Sequence, residues 1–89
     1  MENQTYTVLA ESGIHARPAT GLVQIASEYA SELTVEYKEK KANLKSILGV
    51  MSLGIGQGAS FSIHAEGTDE QEAIEAIENY LTLEGIVEL

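Results

Sequence analysis

The chain has 89 residues with 44% hydrophobic and 21% charged residues, a composition that fits one ordered domain, residues 1–89, with a modest core and little margin for a second. The formal net charge of -9 disfavours nucleic acid, whose binding draws on phosphate neutralisation by Lys and Arg. The absence of cysteine excludes disulfides and thiolate chemistry.

The opening residues, MENQTYTVLA, lack the basic and apolar regions of a signal peptide. No segment approaches the roughly 20 apolar residues that span a bilayer, so membrane insertion is not expected. Thr5 to Leu9 then reads as a short strand with Tyr6 and Val8 on one side. Glu11-Ser12-Gly13 is a turn signal. From Ala16 to Ala30 the pattern becomes helical: Ala19, Leu22, Val23, Ala26 and Tyr29 or Ala30 share one apolar face. Pro18 suits the first turn, where its missing N–H is not needed. Gly21 inside this helix should cost about 1 kcal/mol relative to Ala.

Leu33, Val35 and Tyr37 alternate with Thr34, Glu36 and Lys38 as a half-buried strand. Glu39 and Lys40 are expected to turn into a shorter strand over Lys41 to Asn43, although they lack the favoured Asn-Gly chemistry. Ser46 is placed to N-cap a short helix reaching about Leu53. Gly54, Gly56 and Gly58 form a connection. Phe61, Ile63 and Ala65 alternate with Ser62, His64 and Glu66 as a last strand. Thr68 and Gln71 fit a capping box for a helix from Asp69 to about Leu83, with Ala73, Ile74, Ile77, Tyr80 and Leu81 as its buried stripe.

The order is βαββαβα. One-sided alternation in every strand points to an α+β fold whose mainly antiparallel sheet is covered on one face. The pattern does not decide strand order, and a ferredoxin-like sheet also accommodates it.

Charge is unevenly distributed. From Glu66 onward there are eight acids and no Lys or Arg, which reads as a solvated helix face. Four of the five basic residues lie between Lys38 and Lys45, and the fifth is Arg17. Arg17 stands two residues from His15, in the turn that enters the first helix. Neutral imidazole is a nucleophile at neutral pH, with an unperturbed pKa of about 6.5. A helix start presents unpaired N–H groups, among them that of Ala16, to an anion. Arg17 adds a fixed charge and forked donors suited to phosphoryl oxygens. These features alone do not outweigh a plain surface histidine at a helix start.

The segment Gly13-Ile14-His15-Ala16-Arg17-Pro18-Ala19 resembles the phosphorylation motif of the HPr family of the bacterial sugar phosphotransferase system. Ser46-Ile47-Leu48-Gly49-Val50-Met51-Ser52-Leu53 resembles that family's regulatory serine segment, and Leu53-Gly54-Ile55-Gly56-Gln57-Gly58 the glycine-rich connection after it. The likeness runs through essentially the whole chain in register. It implies an HPr-like open-faced β-sandwich: a four-stranded antiparallel sheet with three helices on one face. It also implies a cytoplasmic, monomeric phosphocarrier, not a free-standing enzyme, with no cofactor or metal.

In such a carrier His15 would take a phosphoryl group on Nδ1 from phospho-Enzyme I and pass it to IIA domains of sugar permeases. The Ala16 N–H and Arg17 would hold its oxygens. Ser46, beyond capping its helix, would be phosphorylated by an HPr kinase/phosphorylase, and that form would bind a catabolite-control transcription regulator. Ile47, Leu48 and Met51 would form an apolar docking patch, with Val50 and Leu53 turned to the core. Gln24 and Ser27 stand where family members often carry lysines, which alters the rim of that interface.

Two other readings compete. A purely regulatory protein would work through Ser46 and the patch, but regulators of that kind lack the active histidine. An enzyme would need pocket elements, metal ligands or paired acid–base residues beyond this site. His64 reads as a polar-face strand residue with no special role. Gly54, Gly56 and Ala59 loosely fit a dinucleotide-loop pattern, but a strand follows where a helix is required.

Overall fold

The computed structural model describes residues 2–11, 13, 14 and 16–88, with residues 16, 17 and 88 described by their backbone. Strand β1 spans Glu2–Val8, helix α1 Ala16–Ala26, β2 Glu32–Tyr37, β3 Lys40–Asn43, α2 Ile47–Ser52, β4 Ser60–Glu66, α3 Glu70–Leu83 and β5 Val87–Glu88. The sheet order is β3-β2-β4-β1-β5, and every neighbouring pair is antiparallel. Among the described residues, four principal strands and three helices thus make the open-faced sandwich, and the two-residue β5 is an addition at its edge.

Alternation decides which face is covered. Tyr6 and Val8, Leu33 and Val35, and Phe61, Ile63 and Ala65 are buried beneath the helices. Their neighbours form a polar open face, where Thr5 Oγ1 and Ser62 Oγ lie 2.9 Å apart and His64 Nε2 lies 3.0 Å from Glu36 Oε1. Helix α1 contributes Ala19, Leu22, Val23 and Ala26 to the core, and α3 contributes Ala73, Ile74, Ile77 and Leu81. Tyr6 joins the layers by donating to Glu78 Oε1 at 3.0 Å. Burial first, then the Glu78 carboxylate, push its phenol well above the ordinary tyrosine range.

Three local expectations are corrected. Helix α1 ends at Ala26, not Ala30: the chain passes through Ser27 to Ala30 in turns, and Lys45 Nζ donates to the Tyr29 carbonyl at 2.7 Å. The β2–β3 turn is centred on Lys38 and Glu39, one residue earlier than expected. Both have positive φ, 49° and 68°, the geometry of a two-residue hairpin loop that matches strand twist. Neither is glycine; the Lys38 ammonium stands 5.3 Å from the Tyr37 ring centroid.

The capping box is the third. Helix α3 is N-capped by Asp69, not Thr68, and Asp69 makes no side-chain cap bond. Its carboxylate instead accepts from the N–H groups of Ala30 and Ser31, at 2.8 and 2.9 Å, and from the Ser31 hydroxyl. The back-reaching bond of the motif forms one residue early, with Gly67 N–H donating to Glu70 Oε1 at 3.1 Å.

Gly21 has a packing reason. A Cβ there would overlap the ring of Tyr80, 2.8 Å from Cε1, so its absence lets α3 close on α1. At the other end of α3, the Ile86 N–H donates to Leu81 O at 2.9 Å and the Gly85 N–H to Thr82 O at 3.1 Å. This Schellman pairing turns the chain back towards β1.

Candidate functional site

The candidate site lies in the connection from β1 to α1. His15 and Ser12 fall outside the described residues, but the backbone on both sides is held closely. The Leu9 N–H donates to Ile86 O at 2.7 Å, and the Gly13 N–H donates to Ala10 O at 3.0 Å. Ile14, only 1% exposed, anchors its side chain in the core and donates its N–H to Ile55 O at 2.9 Å. Gln57 Nε2 donates to Leu9 O at 3.1 Å.

Gly13 is required by two constraints at once. Its φ is +66°, and a Cβ would strike the Ile55 carbonyl oxygen and lie 2.8 Å from Gly56 Cα. The glycine-rich connection after α2 is therefore a brace for the loop that leads to residue 15. Its part near Ile55 is engaged through the Ile55 carbonyl, and Ile55 itself is buried.

Helix α1 begins at Ala16, directly after His15 in sequence, with Arg17 second and Pro18 third. Its first-turn N–H groups, that of Ala16 included, lack intrahelical partners, and no acid occupies the first turn to compete for them. That end of the helix favours an anion. The Arg17 side chain lies outside what the structure describes.

Helix α2 packs beside α1. Ser46 caps it: φ and ψ are -117° and 116°, and its hydroxyl oxygen accepts from the Gly49 N–H at 3.1 Å. Val50 and Leu53 face the core, whereas Ile47, Leu48 and Met51 are 40%, 82% and 37% exposed. Three large apolar side chains on six residues of helix form a compact exposed patch of the kind that meets partners. The sequence carries no formal charge from Pro18 to Ser27 or from Ser46 to Ile63. In a strongly acidic protein these runs carry no formal charge of their own, with the basic residues Arg17 and Lys45 just before them in sequence.

The Ile55 and Ile86 carbonyls, which hold the loop, gave no signal of their own in the sequence. The nearest hint was Gly85 after the last helix, followed by two apolar residues. Among the described residues, no group of three or more His, Asp or Glu is arranged to hold a metal ion. Among the described residues, no helix is long and apolar enough to cross a membrane.

A family model described as the PTS HPr component phosphorylation site matches residues 2–82. Among solved structures, the chain is similar to the histidine-containing phosphocarrier protein of a Mycoplasma, with 34% identity over 99% of this chain and 100% of that one, at a TM-score of 0.96. It is similar to an HPr of Thermoanaerobacter tengcongensis, 45% identical over 92% of each chain, TM-score 0.88. It is also similar to Crh, a catabolite repression protein of Bacillus subtilis solved as a domain-swapped dimer. There the identity is 40% over 97% of this chain and 99% of that one, with a TM-score of 0.74.

Proposed function

This chain belongs to the HPr family of phosphotransferase-system phosphocarriers, and from that membership we propose that His15 is its phosphoryl acceptor. It is a carrier and not a free-standing enzyme. The observation that carries the assignment of His15 is the opening of α1 at the next residue, with first-turn N–H groups free of acidic competition.

The Nδ1 lone pair of neutral His15 attacks the phosphorus held on phospho-Enzyme I. A P–N bond forms as the bond from phosphorus to its donor atom breaks, and the electron pair of that bond returns to the donor. The Ala16 N–H, the rest of the helix start and the Arg17 guanidinium take the charge on the three equatorial oxygens. Such catalysis is mostly positioning and electrostatic stabilisation. The same step in reverse geometry delivers the group to a IIA domain of a sugar permease. A phosphoramidate suits this exchange because nitrogen leaves readily once the ring is protonated or well bonded.

Ile47, Leu48 and Met51 are the surface on which both partners dock. Ser46 is a second phosphorylation site, written by an HPr kinase/phosphorylase and read by a catabolite-control transcription regulator. The likeness to Crh and the position of Ser46 at a helix N-terminus support this layer. The working unit is a cytoplasmic monomer.

The test is reconstitution with Enzyme I, phosphoenolpyruvate and a IIA domain. The carrier should gain one acid-labile phosphoryl group and lose it when the IIA domain is added. A chain that is never labelled, or that keeps its label, contradicts the relay.

A further inference from the structure

The family model ends at residue 82, yet the chain beyond it is built into the fold. Gly85 turns back from α3, Ile86 and Val87 are each 3% exposed, and β5 pairs Val87 with Val8 and Glu88 with Thr7. The Ile86 carbonyl is then left at the end of β1, where it accepts the Leu9 N–H at 2.7 Å and the Ala10 N–H at 3.4 Å. Ala10 in turn accepts from the Gly13 N–H through its own carbonyl, at 3.0 Å. One carbonyl oxygen on the last segment therefore stands two hydrogen bonds away from Gly13. The opposite side of the loop is held by the Ile55 carbonyl through Ile14, at 2.9 Å.

We propose that residues 84–88 form a strap that positions the phosphoacceptor loop, with Ile86 as a positioning residue for phosphoryl transfer. The strap touches neither substrate nor partner; it fixes where the chain leaves β1 and so how residue 15 is presented at the start of α1. This deepens the carrier reading and rests on it for the identity of the reaction. In-line transfer is sensitive to small misplacements of the attacking atom. Docking on α2 is not, since the described strap bonds reach β1, the loop and α3. The strap is therefore expected to act on the rate of transfer and not on partner binding.

The experiment compares the full chain with a deletion of residues 86–89 and with Ile77→Val, which thins the core under α3 and leaves every residue of the strap in place. Three quantities are read: denaturant midpoint, kcat and KM for phosphorylation by Enzyme I, and amide exchange at Leu9, Gly13 and Ile14 in the unphosphorylated protein. The deletion should lower kcat about tenfold while KM stays within about twofold, and should speed exchange at Leu9 and Gly13. Ile77→Val should lower the midpoint and leave kcat and loop exchange unchanged. If the deletion does not fold, Ile86→Ala is read the same way, with Ile86→Val restoring the rate. Unchanged kcat in a folded deletion, or an equal fall in Ile77→Val, overturns the proposal. A full chain that accepts no phosphoryl group would overturn the carrier reading instead. The exchange at Leu9 and Gly13 would then still decide whether the strap holds the loop: unchanged exchange refutes it.

Discussion

Asp69 and Ser31 are bound to each other across the fold, the Asp69 carboxylate accepting the Ser31 hydroxyl and N–H together with the N–H of Ala30. This contact joins the start of α3 to the start of β2. The Ser31 hydroxyl first, then the backbone N–H of Ala30, hold the carboxyl below the ordinary aspartate range. A carboxylate depressed in the folded state adds stability that is fully present above its unfolded pKa, about 3.9, and is lost as pH falls through the folded value. Asp69→Ala should therefore lower the urea midpoint at pH 7, and the gap to the parent should narrow below about pH 4. A gap that stays constant with pH would show that the charge of Asp69 contributes nothing.

Gly13 and Gly54 share φ = +66°, but only Gly13 faces backbone where a Cβ would stand. Gly54→Ala should cost the left-handed penalty alone, about 1–2 kcal/mol. Gly13→Ala adds a collision with the Ile55 carbonyl and should cost more, by about 1–3 kcal/mol beyond Gly54→Ala. It should also slow phosphoryl transfer, which Gly54→Ala should not do through this contact. Chemical denaturation checks the order, and equal losses would contradict the brace between the two loops.

Exposure separates two neighbours on α2. Leu48 is 82% exposed and Val50 is 1% exposed. Leu48→Ala should change stability by less than about 0.5 kcal/mol but weaken Enzyme I and IIA binding by about 1–2 kcal/mol. Val50→Ala should do the converse, costing about 2 kcal/mol of folding stability. Calorimetry with each partner and a denaturation curve decide it; unchanged affinity for Leu48→Ala would remove the patch from the docking surface.

Substitution can part the capping role of Ser46 from its proposed role as a phosphorylation site. Ser46→Ala loses the bond from Gly49 N–H and should cost about 1 kcal/mol. Ser46→Asp keeps a good cap and adds a charge that suits the helix N-terminus, so the fold should hold. That charge must be desolvated at the edge of an apolar interface, so phosphorylation by Enzyme I should weaken, most with a true phosphate. Part of the loss should recover with salt. Equal efficiency for the phosphorylated and unmodified proteins would show that Ser46 does not gate His15.

The features legible in the sequence were those written in local patterns. The alternation of Leu33, Val35, Phe61 and Ile63 fixed the covered face, and Ser46 three residues before Gly49 announced its cap. The outward set of Ile47, Leu48 and Met51 came from the family resemblance, since six residues of helix are too few for periodicity to separate exposed from core positions. Features depending on distant partners were not legible. Asp69 looked like an ordinary first-turn acid because Ser31 lies 38 positions away. The Thr68–Gln71 pattern lost to a competing use of Asp69, and the hairpin turn settled on Lys38 and Glu39, which carry no glycine signal. Two-residue β5 has no periodicity to read, and its partner β1 is at the other end of the chain.

The central claim concerns one residue, His15, and mass analysis after incubation with Enzyme I and phosphoenolpyruvate tests it most directly. The parent chain should gain a single phosphoryl group, lost in acid and retained in base. His15→Ala should remain folded and gain none, while Arg17→Ala should still be labelled but more slowly. Undiminished acid-labile labelling of a folded His15→Ala protein would contradict the account.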